Sequence, residues 1–243
     1  MKRIIVCISL LFTVISCVFA EELNFGIKEQ QFEKIDDVVN EFVLGIKNAN
    51  IQKIYSVSAV NEMAESYSFD KISRRLDAIN PIMWKAPNID DVYISINKID
   101  FMSLIARQTK VLIYSLLLGN QADGTTISPY SEDESKEILE KLNVKRLNSL
   151  EYIRSDFPVK SLENNERYIK NSKAAALPLG ADTSTERLVL VKFEDKYYFF
   201  GLHFLRYNGF WRIDALNSPL AGTEISGRVV YTSEDDYMKT INN

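Results

Sequence analysis

The chain has 243 residues, and its 29 lysines and arginines against 33 aspartates and glutamates give a formal net charge of −4 at pH 7. This mildly acidic, mixed-charge composition lacks the basic surface that attracts nucleic acids or anionic membranes, so we expect neither as a partner. The length allows one large domain with a substantial core.

The first twenty residues predict a secretory signal peptide, residues 1–20. A basic start precedes an apolar run over residues 4–15, and small residues end the segment at Ala20. The run is short for a membrane span, and two glutamates follow it directly. We therefore expect cleavage after Ala20, an exported chain in the periplasm or the medium, and no membrane span after cleavage.

Both cysteines, Cys7 and Cys17, lie inside this leader. Cleavage after Ala20 would leave no thiol, which excludes disulfides, thiolate metal sites and cysteine nucleophiles. The residues Val14-Ile-Ser-Cys17 also resemble a bacterial lipobox, in which the cysteine carries a lipid and becomes the mature N-terminus. Lipid anchoring through Cys17 is therefore an alternative.

Hydrophobic periodicity predicts helices at the start of a single α+β domain, residues 21–225. Apolar residues with the spacing of one helix face occupy residues 29–47, and the same spacing recurs over 69–79 before Pro81. Residues 92–97 alternate between apolar and polar, which predicts a half-buried strand.

The middle of the chain, residues 101–184, is predicted to be a largely helical, irregular insertion. Residues 101–118 are typical of a buried helix, and their charged residues argue against a membrane span. Ser131 and Glu134 predict a capping box for a further helix. Residues 143–184 predict only mixed loop and short helix. The tail, residues 226–243, ends in polar residues and is expected to be partly disordered.

Three strands are predicted near the C-terminus, over residues 188–193, 197–207 and 210–216. Turns are expected at Asp195-Lys196 and at Asn208-Gly209, where Asn-Gly favours a two-residue type I′ turn. That turn predicts cross-strand pairs between the second and third strands, among them Arg206 with Trp211, Phe204 with Ile213, and His203 with Asp214.

Alternation then divides these strands into two faces. The first is expected to be core or pocket wall and carries Val189, Val191, Phe193, Tyr198, Phe200, Leu202, Phe204, Trp211, Ile213 and Ala215. The second face contains His203 and Asp214 and is rich in aromatic residues. We expect another part of the chain or a partner subunit to cover it, because large exposed apolar patches are uncommon.

Two segments resemble the nuclear transport factor two-like superfamily, which includes ketosteroid isomerase and the polyketide cyclases. They are DDVVNEFVLGIKNANIQKIYSVS, residues 36–58, and NGFWRIDAL, residues 208–216. The resemblance implies N-terminal helices packed on a curved antiparallel sheet, a cone with an apolar pocket, and frequent dimerisation through the outer sheet face. On this sequence the implied ligand-binding wall is formed by Tyr198, Phe200, Phe204 and Trp211, with Arg206 near the rim.

Catalytic and metal signatures are sparse. His203 with Asp214 could act as a general base and its orienting carboxylate, but a structural cross-strand pair is the favoured interpretation because no motif places a nucleophile. The loop from Gly119 lacks the lysine of a phosphate-binding loop, and the acidic pairs lack the alternating ligands of a calcium loop. We expect no cofactor and no metal.

The sequence therefore favours an exported, non-enzymatic binding or scaffold domain. Its expected partner is a small apolar ligand or another protein, and a homodimer is a further possibility. A pocket enzyme of the isomerase or cyclase type and a lipid-anchored envelope protein are the two alternatives.

Overall fold

The computed structural model describes residues 28–74, 85–119, 130–223 and 226–242. The signal peptide, both cysteines, the helix end expected before Pro81 and most of the loop after Gly119 lie outside these ranges. Predictions on those segments stay predictions.

Four helices form the N-terminal part: α1 (Ile35–Lys47), α2 (Ile51–Ser56), α3 (Val60–Ser66) and α4 (Phe69–Ser73). The apolar face of α1 is buried as its spacing predicts, although the helix begins six residues later than expected. Asn50 caps α2, because its side chain accepts a hydrogen bond from the Lys53 amide at 3.0 Å.

Helix α5 (Asp91–Leu118) is 28 residues long, so the strand predicted over residues 92–97 is wrong. The Asp90 carboxylate caps the helix by accepting from the Val92 amide. Val92 and Ile96 are exposed, whereas Asn97 is buried and exchanges two hydrogen bonds with the Ala86 backbone. An exposed apolar stripe thus imitated the alternation of a strand. Within the described ranges α5 alone is long and apolar enough to span a membrane, but half of its apolar window is buried.

The middle section contains more regular structure than predicted. Helix α6 (Glu132–Lys141) begins with the predicted capping box. It is followed by a 3-10 turn (Val144–Ser149), strand β1 (Glu151–Asp156), a second 3-10 turn (Lys160–Leu162), helix α7 (Glu166–Ala176) and a third 3-10 turn (Leu177–Leu179).

The sheet consists of β1 with β2 (Thr183–Phe193), β3 (Lys196–Tyr207), β4 (Phe210–Ala215) and the short β5 (Val230–Thr232). The order is β1-β2-β3-β4, all antiparallel, and β5 pairs with the start of β3. The three predicted strands and the Asn208-Gly209 turn are confirmed; both turn residues have positive φ, 52° and 90°. The first hairpin turns one residue earlier than expected, at Glu194-Asp195.

The register between β3 and β4 follows the prediction up to Phe204, which lies opposite Ile213. The pairing then shifts, and His203 lies opposite Ala215. The predicted backbone pair of His203 with Asp214 is therefore wrong, because Asp214 is an extra residue in a β-bulge. The two side chains still meet, since the bulge leaves them on the same face.

The inner face of the sheet packs on the helices and forms the main core, where the Phe42 and Phe200 rings lie 6.3 Å apart. The outer face is covered by the C-terminal tail, which is not disordered over residues 226–242. Helix α8 (Glu234–Asn242) inserts the fully buried Tyr237 beside Leu188 and Leu190. The α+β class with helices on a curved antiparallel sheet is thus confirmed.

Candidate ligand-binding groove

The aromatic residues predicted to line a pocket mostly fill the interior. Phe200 and Phe204 are 1% and 0% exposed within the main core. Tyr198 lies at a separate surface cavity of about 230 Å³ beside the end of α5. Arg206 stacks over the Trp211 ring at 5.4 Å and donates to the Gly209 carbonyl oxygen, as expected for a hairpin end.

Trp211 lines a groove at the open end of the inner face. The groove consists of two cavities of about 430 and 180 Å³, which share Phe157, Glu163, Arg187 and Trp211 in their walls. The remaining walls come from the start of α1, the end of β1, the second 3-10 turn, α7, the start of β2 and Ile241 of α8. The interior of the sheet is closed by its own side chains. At this groove the inner-face residues Arg187 and Trp211 border a cavity.

Arg187 is the central cation of the groove. It lies on the inner side of β2, half-buried, with its guanidinium 5.6 Å from the centre of the Phe157 ring. Its Nη1 donates to the Thr185 hydroxyl at 3.2 Å and to the Glu186 carbonyl oxygen at 2.8 Å. Within the described part of the chain, Arg187 forms no ion pair, and its Nε and Nη2 donate to no acceptor.

Burial is the largest influence on the Arg187 pKa and lowers it. Glu163 is the strongest influence in the opposite direction, followed by Asp36, Tyr168 and Asp156, all of which favour the charged form. Because an arginine remains protonated at any physiological pH, the groove keeps a positive charge with unused donors.

Two of the three groove carboxylates are already engaged. Asp36 accepts from the Ser155 hydroxyl at 2.6 Å and from the Tyr152 hydroxyl at 3.2 Å. Asp156 forms a bidentate pair with Arg154, both contacts at 2.6 Å. Burial, with Asp36 nearby, raises the Tyr152 pKa to about 12, so this hydroxyl stays a donor.

Glu163 differs from these two carboxylates. It is exposed, and its carboxylate has no hydrogen bond or ion pair in the residue ranges that the structure describes, although its backbone amide donates to the Lys160 carbonyl oxygen at 3.3 Å. It therefore lines the groove with a negative charge that no direct ion pair neutralises.

A cystatin-like protein from Ruminococcus gnavus ATCC 29149 has a similar structure, with a TM-score of 0.55 and 18% sequence identity. The fold is cystatin-like. The superposition covers 89% of this chain and 45% of that chain, so the similarity spans less than half of the neighbour. No family model matches the sequence, and no curated protein matches it. The nuclear transport factor two-like resemblance is thus supported at the level of a related α+β architecture.

In this cystatin-like fold, His203 and Asp214 lie on the outer face, away from the groove. Nδ1 of His203 is 2.6 Å from Oδ1 of Asp214. Burial lowers the His203 pKa, but Asp214 and Glu186 together outweigh burial and hold it above its ordinary value. In the described ranges no hydroxyl donates to His203, and the contacts are those of a structural pair.

Glu186 connects the same face to the segment after β4. Its Oε2 accepts from the Ser218 hydroxyl at 2.7 Å and from the Leu220 amide at 3.0 Å. The described residues contain no group of three or more histidine, cysteine or acidic side chains that could hold a metal ion.

Sequence reasoning missed Arg187, Phe157 and Glu163. Arg187 continues the inward alternation of Val189 and Val191, but the strand was predicted to begin one residue after it. An earlier strand start would have placed a charged residue on an otherwise apolar face. Phe157 and Glu163 follow β1, whose sequence shows no clear alternation of apolar and polar residues.

Proposed function

We propose that the chain is an exported, non-enzymatic binding domain that holds an oxyanion-bearing ligand in the groove around Arg187. The observation that carries the proposal is the free Nε and Nη2 edge of a half-buried guanidinium. This edge matches the two oxygens of a carboxylate or phosphate, and such bidentate, charge-assisted hydrogen bonds are strong and directional.

The surroundings of Arg187 also suit a ligand with a planar apolar part. Phe157, Tyr168 and Trp211 line the same groove. A volume of about 430 Å³ for the larger cavity falls in the ordinary range of small-molecule sites. Charged residues lie among these rings, which favours a polar ligand over the purely apolar one expected from the sequence.

Binding is favoured over catalysis because the hydroxyl and carboxylate that meet in the groove wall, Ser155 and Asp36, have no imidazole beside them in the described residues. His203, the single histidine of the chain, is on the other face of the sheet. Export rests on the leader sequence, residues 1–20, and the homodimer remains a prediction.

Tryptophan fluorescence tests the proposal directly. The chain has two tryptophans, so Trp84→Phe leaves Trp211 as a reporter inside the groove. Titration with benzoate, phenyl phosphate and phenyl sulfate should give saturable changes in emission. Arg187→Gln should abolish them, whereas Arg74→Gln, which removes an exposed arginine paired with Asp70, should not. Equal binding by the Arg187→Gln variant, or binding of none of the three probes, would contradict the proposal.

A further inference from the structure

Arg187 and Glu163 present opposite charges to one groove without touching. Both line both cavities. Among the charged groups, Glu163 has the greatest influence in favour of the charged form of Arg187, yet the two make no ion pair within 4.0 Å. A gap wider than a direct salt bridge therefore separates a cation with free donors from a carboxylate with free acceptors.

The other charged side chains that line the groove have partners within the fold, so Arg187 and Glu163 are the charges that a ligand can bind. Asp36 and Asp156 hold hydrogen bonds within the fold, and Arg154 neutralises Asp156. Lys160 lines the larger cavity but not the smaller one, and its Nζ donates to the Asn242 side chain at 3.3 Å. Formally, two cations then face two carboxylates, so the groove is close to neutral.

A nearly neutral groove discriminates between ligands by their charge distribution. A simple anion can satisfy Arg187, but it brings a second negative charge close to Glu163. A ligand with a carboxylate and an ammonium group adds no net charge and can satisfy both side chains at once.

We propose that the ligand is a zwitterionic aromatic α-amino acid, with its carboxylate on the Nε and Nη2 edge of Arg187 and its ammonium group on Glu163. Its ring lies against Phe157 and Trp211, which line both cavities together with Arg187 and Glu163. This inference rests on the proposed function, since it specifies what the same groove binds.

Three related probes separate the contributions of the two charges. L-phenylalanine carries both groups, 3-phenylpropionate lacks the ammonium group, and phenethylamine lacks the carboxylate. With the Trp84→Phe chain, we expect L-phenylalanine to bind about tenfold more tightly than 3-phenylpropionate, the factor that one charge-assisted hydrogen bond supplies. Phenethylamine should bind most weakly.

Two variants assign this preference to residues. Glu163→Gln should remove the advantage of L-phenylalanine and leave 3-phenylpropionate bound at least as tightly as before. Arg187→Gln should abolish binding of both carboxylates. Glu166→Gln is the matched control, because Glu166 is an exposed glutamate at the start of the neighbouring α7 and lines neither cavity.

The possible results test the zwitterionic ligand separately from the oxyanion-binding site. Binding of 3-phenylpropionate that depends on Arg187, without a preference for L-phenylalanine, overturns the zwitterion and keeps the oxyanion site. A preference that survives Glu163→Gln also overturns the zwitterion. If no carboxylate binds in a manner that depends on Arg187, both proposals are wrong.

Discussion

The two faces of the sheet use charged residues in opposite ways. On the outer face, Glu186, His203 and Arg212 are each paired with partners from the same chain. On the inner face, Arg187 forms no ion pair in the described residues and retains unused donors. A buried charge that is ion-paired within its own chain holds a fold together, whereas one without an ion pair and with donors to spare can hold a ligand. Counting partners therefore distinguishes the two faces better than residue type does.

The largest expected effect comes from the outer-face pair of Arg212 and Glu62. The Arg212 side chain is 3% exposed, and its Nε donates to Oε1 of Glu62 at 2.8 Å. Oε2 of Glu62 is buried and has no partner in the described ranges. Burial raises the Glu62 pKa, and Arg212 is the main influence that opposes this rise. Arg212→Met should therefore leave a buried carboxylate unpaired and lower the free energy of unfolding by about 3 kcal/mol.

Urea unfolding at pH 7 measures this loss. Arg74→Met is the control, since the Arg74–Asp70 pair is exposed on both sides and should contribute less than about 1 kcal/mol. Equal losses from the two substitutions would show that the Arg212 pair is not the structural contact described above.

Gly201 is the next largest test of the outer face. A Cβ added there would overlap the Ser218 amide nitrogen and the Asn217 carbonyl carbon, and backbone atoms cannot rotate away as a flexible side chain can. We expect Gly201→Ala to displace the segment after β4 and to lower the free energy of unfolding by about 1–3 kcal/mol. Hydrogen exchange of the Leu220 amide, which donates to Glu186, should speed up in the variant. An unchanged stability and exchange rate would contradict this close contact.

Much of this face could be predicted from the sequence, because its information is local. The Asn208-Gly209 turn fixes the hairpin, and alternation then assigns residues to faces. The aromatic residues of the second face also indicated correctly that something covers it. The identity of that cover, α8, depends on long-range packing of Tyr237 that no local pattern reveals.

The groove was less predictable for a physical reason. Its walls come from α1, β1, β2, β4 and α7, which are far apart in the sequence. Strand β1 is short, charged and bulged, so its alternation is weak. The bulge at Asp214 depends on the tertiary environment in the same way, and side-chain proximity to His203 survived there although the backbone register did not.

The single histidine makes the outer face sensitive to pH. Its pKa is raised in the folded state, so its contribution to stability is complete below about pH 6.5, the unfolded value. The contribution is lost as the pH rises through the folded value, with a slope of at most about 1.4 kcal/mol per pH unit. Asp214→Asn should lower the His203 pKa, because burial then outweighs the remaining attraction of Glu186. NMR of the one imidazole measures the pKa, and an unchanged value in the variant would show that the pair is not coupled.

The smallest expected effect on stability is that of replacing Arg187 on the inner face. Arg187 forms no ion pair in the described residues, and burial already disfavours its charge. Arg187→Gln should therefore change the free energy of unfolding by less than about 0.5 kcal/mol, although it should abolish binding of the proposed ligand in the groove. Urea unfolding beside Arg212→Met makes the contrast quantitative. A loss near 3 kcal/mol would mean that Arg187 is a structural charge like Arg212. The main argument for a ligand in the groove would then be lost, because the charge of Arg187 would already be explained by its contribution to the stability of the fold.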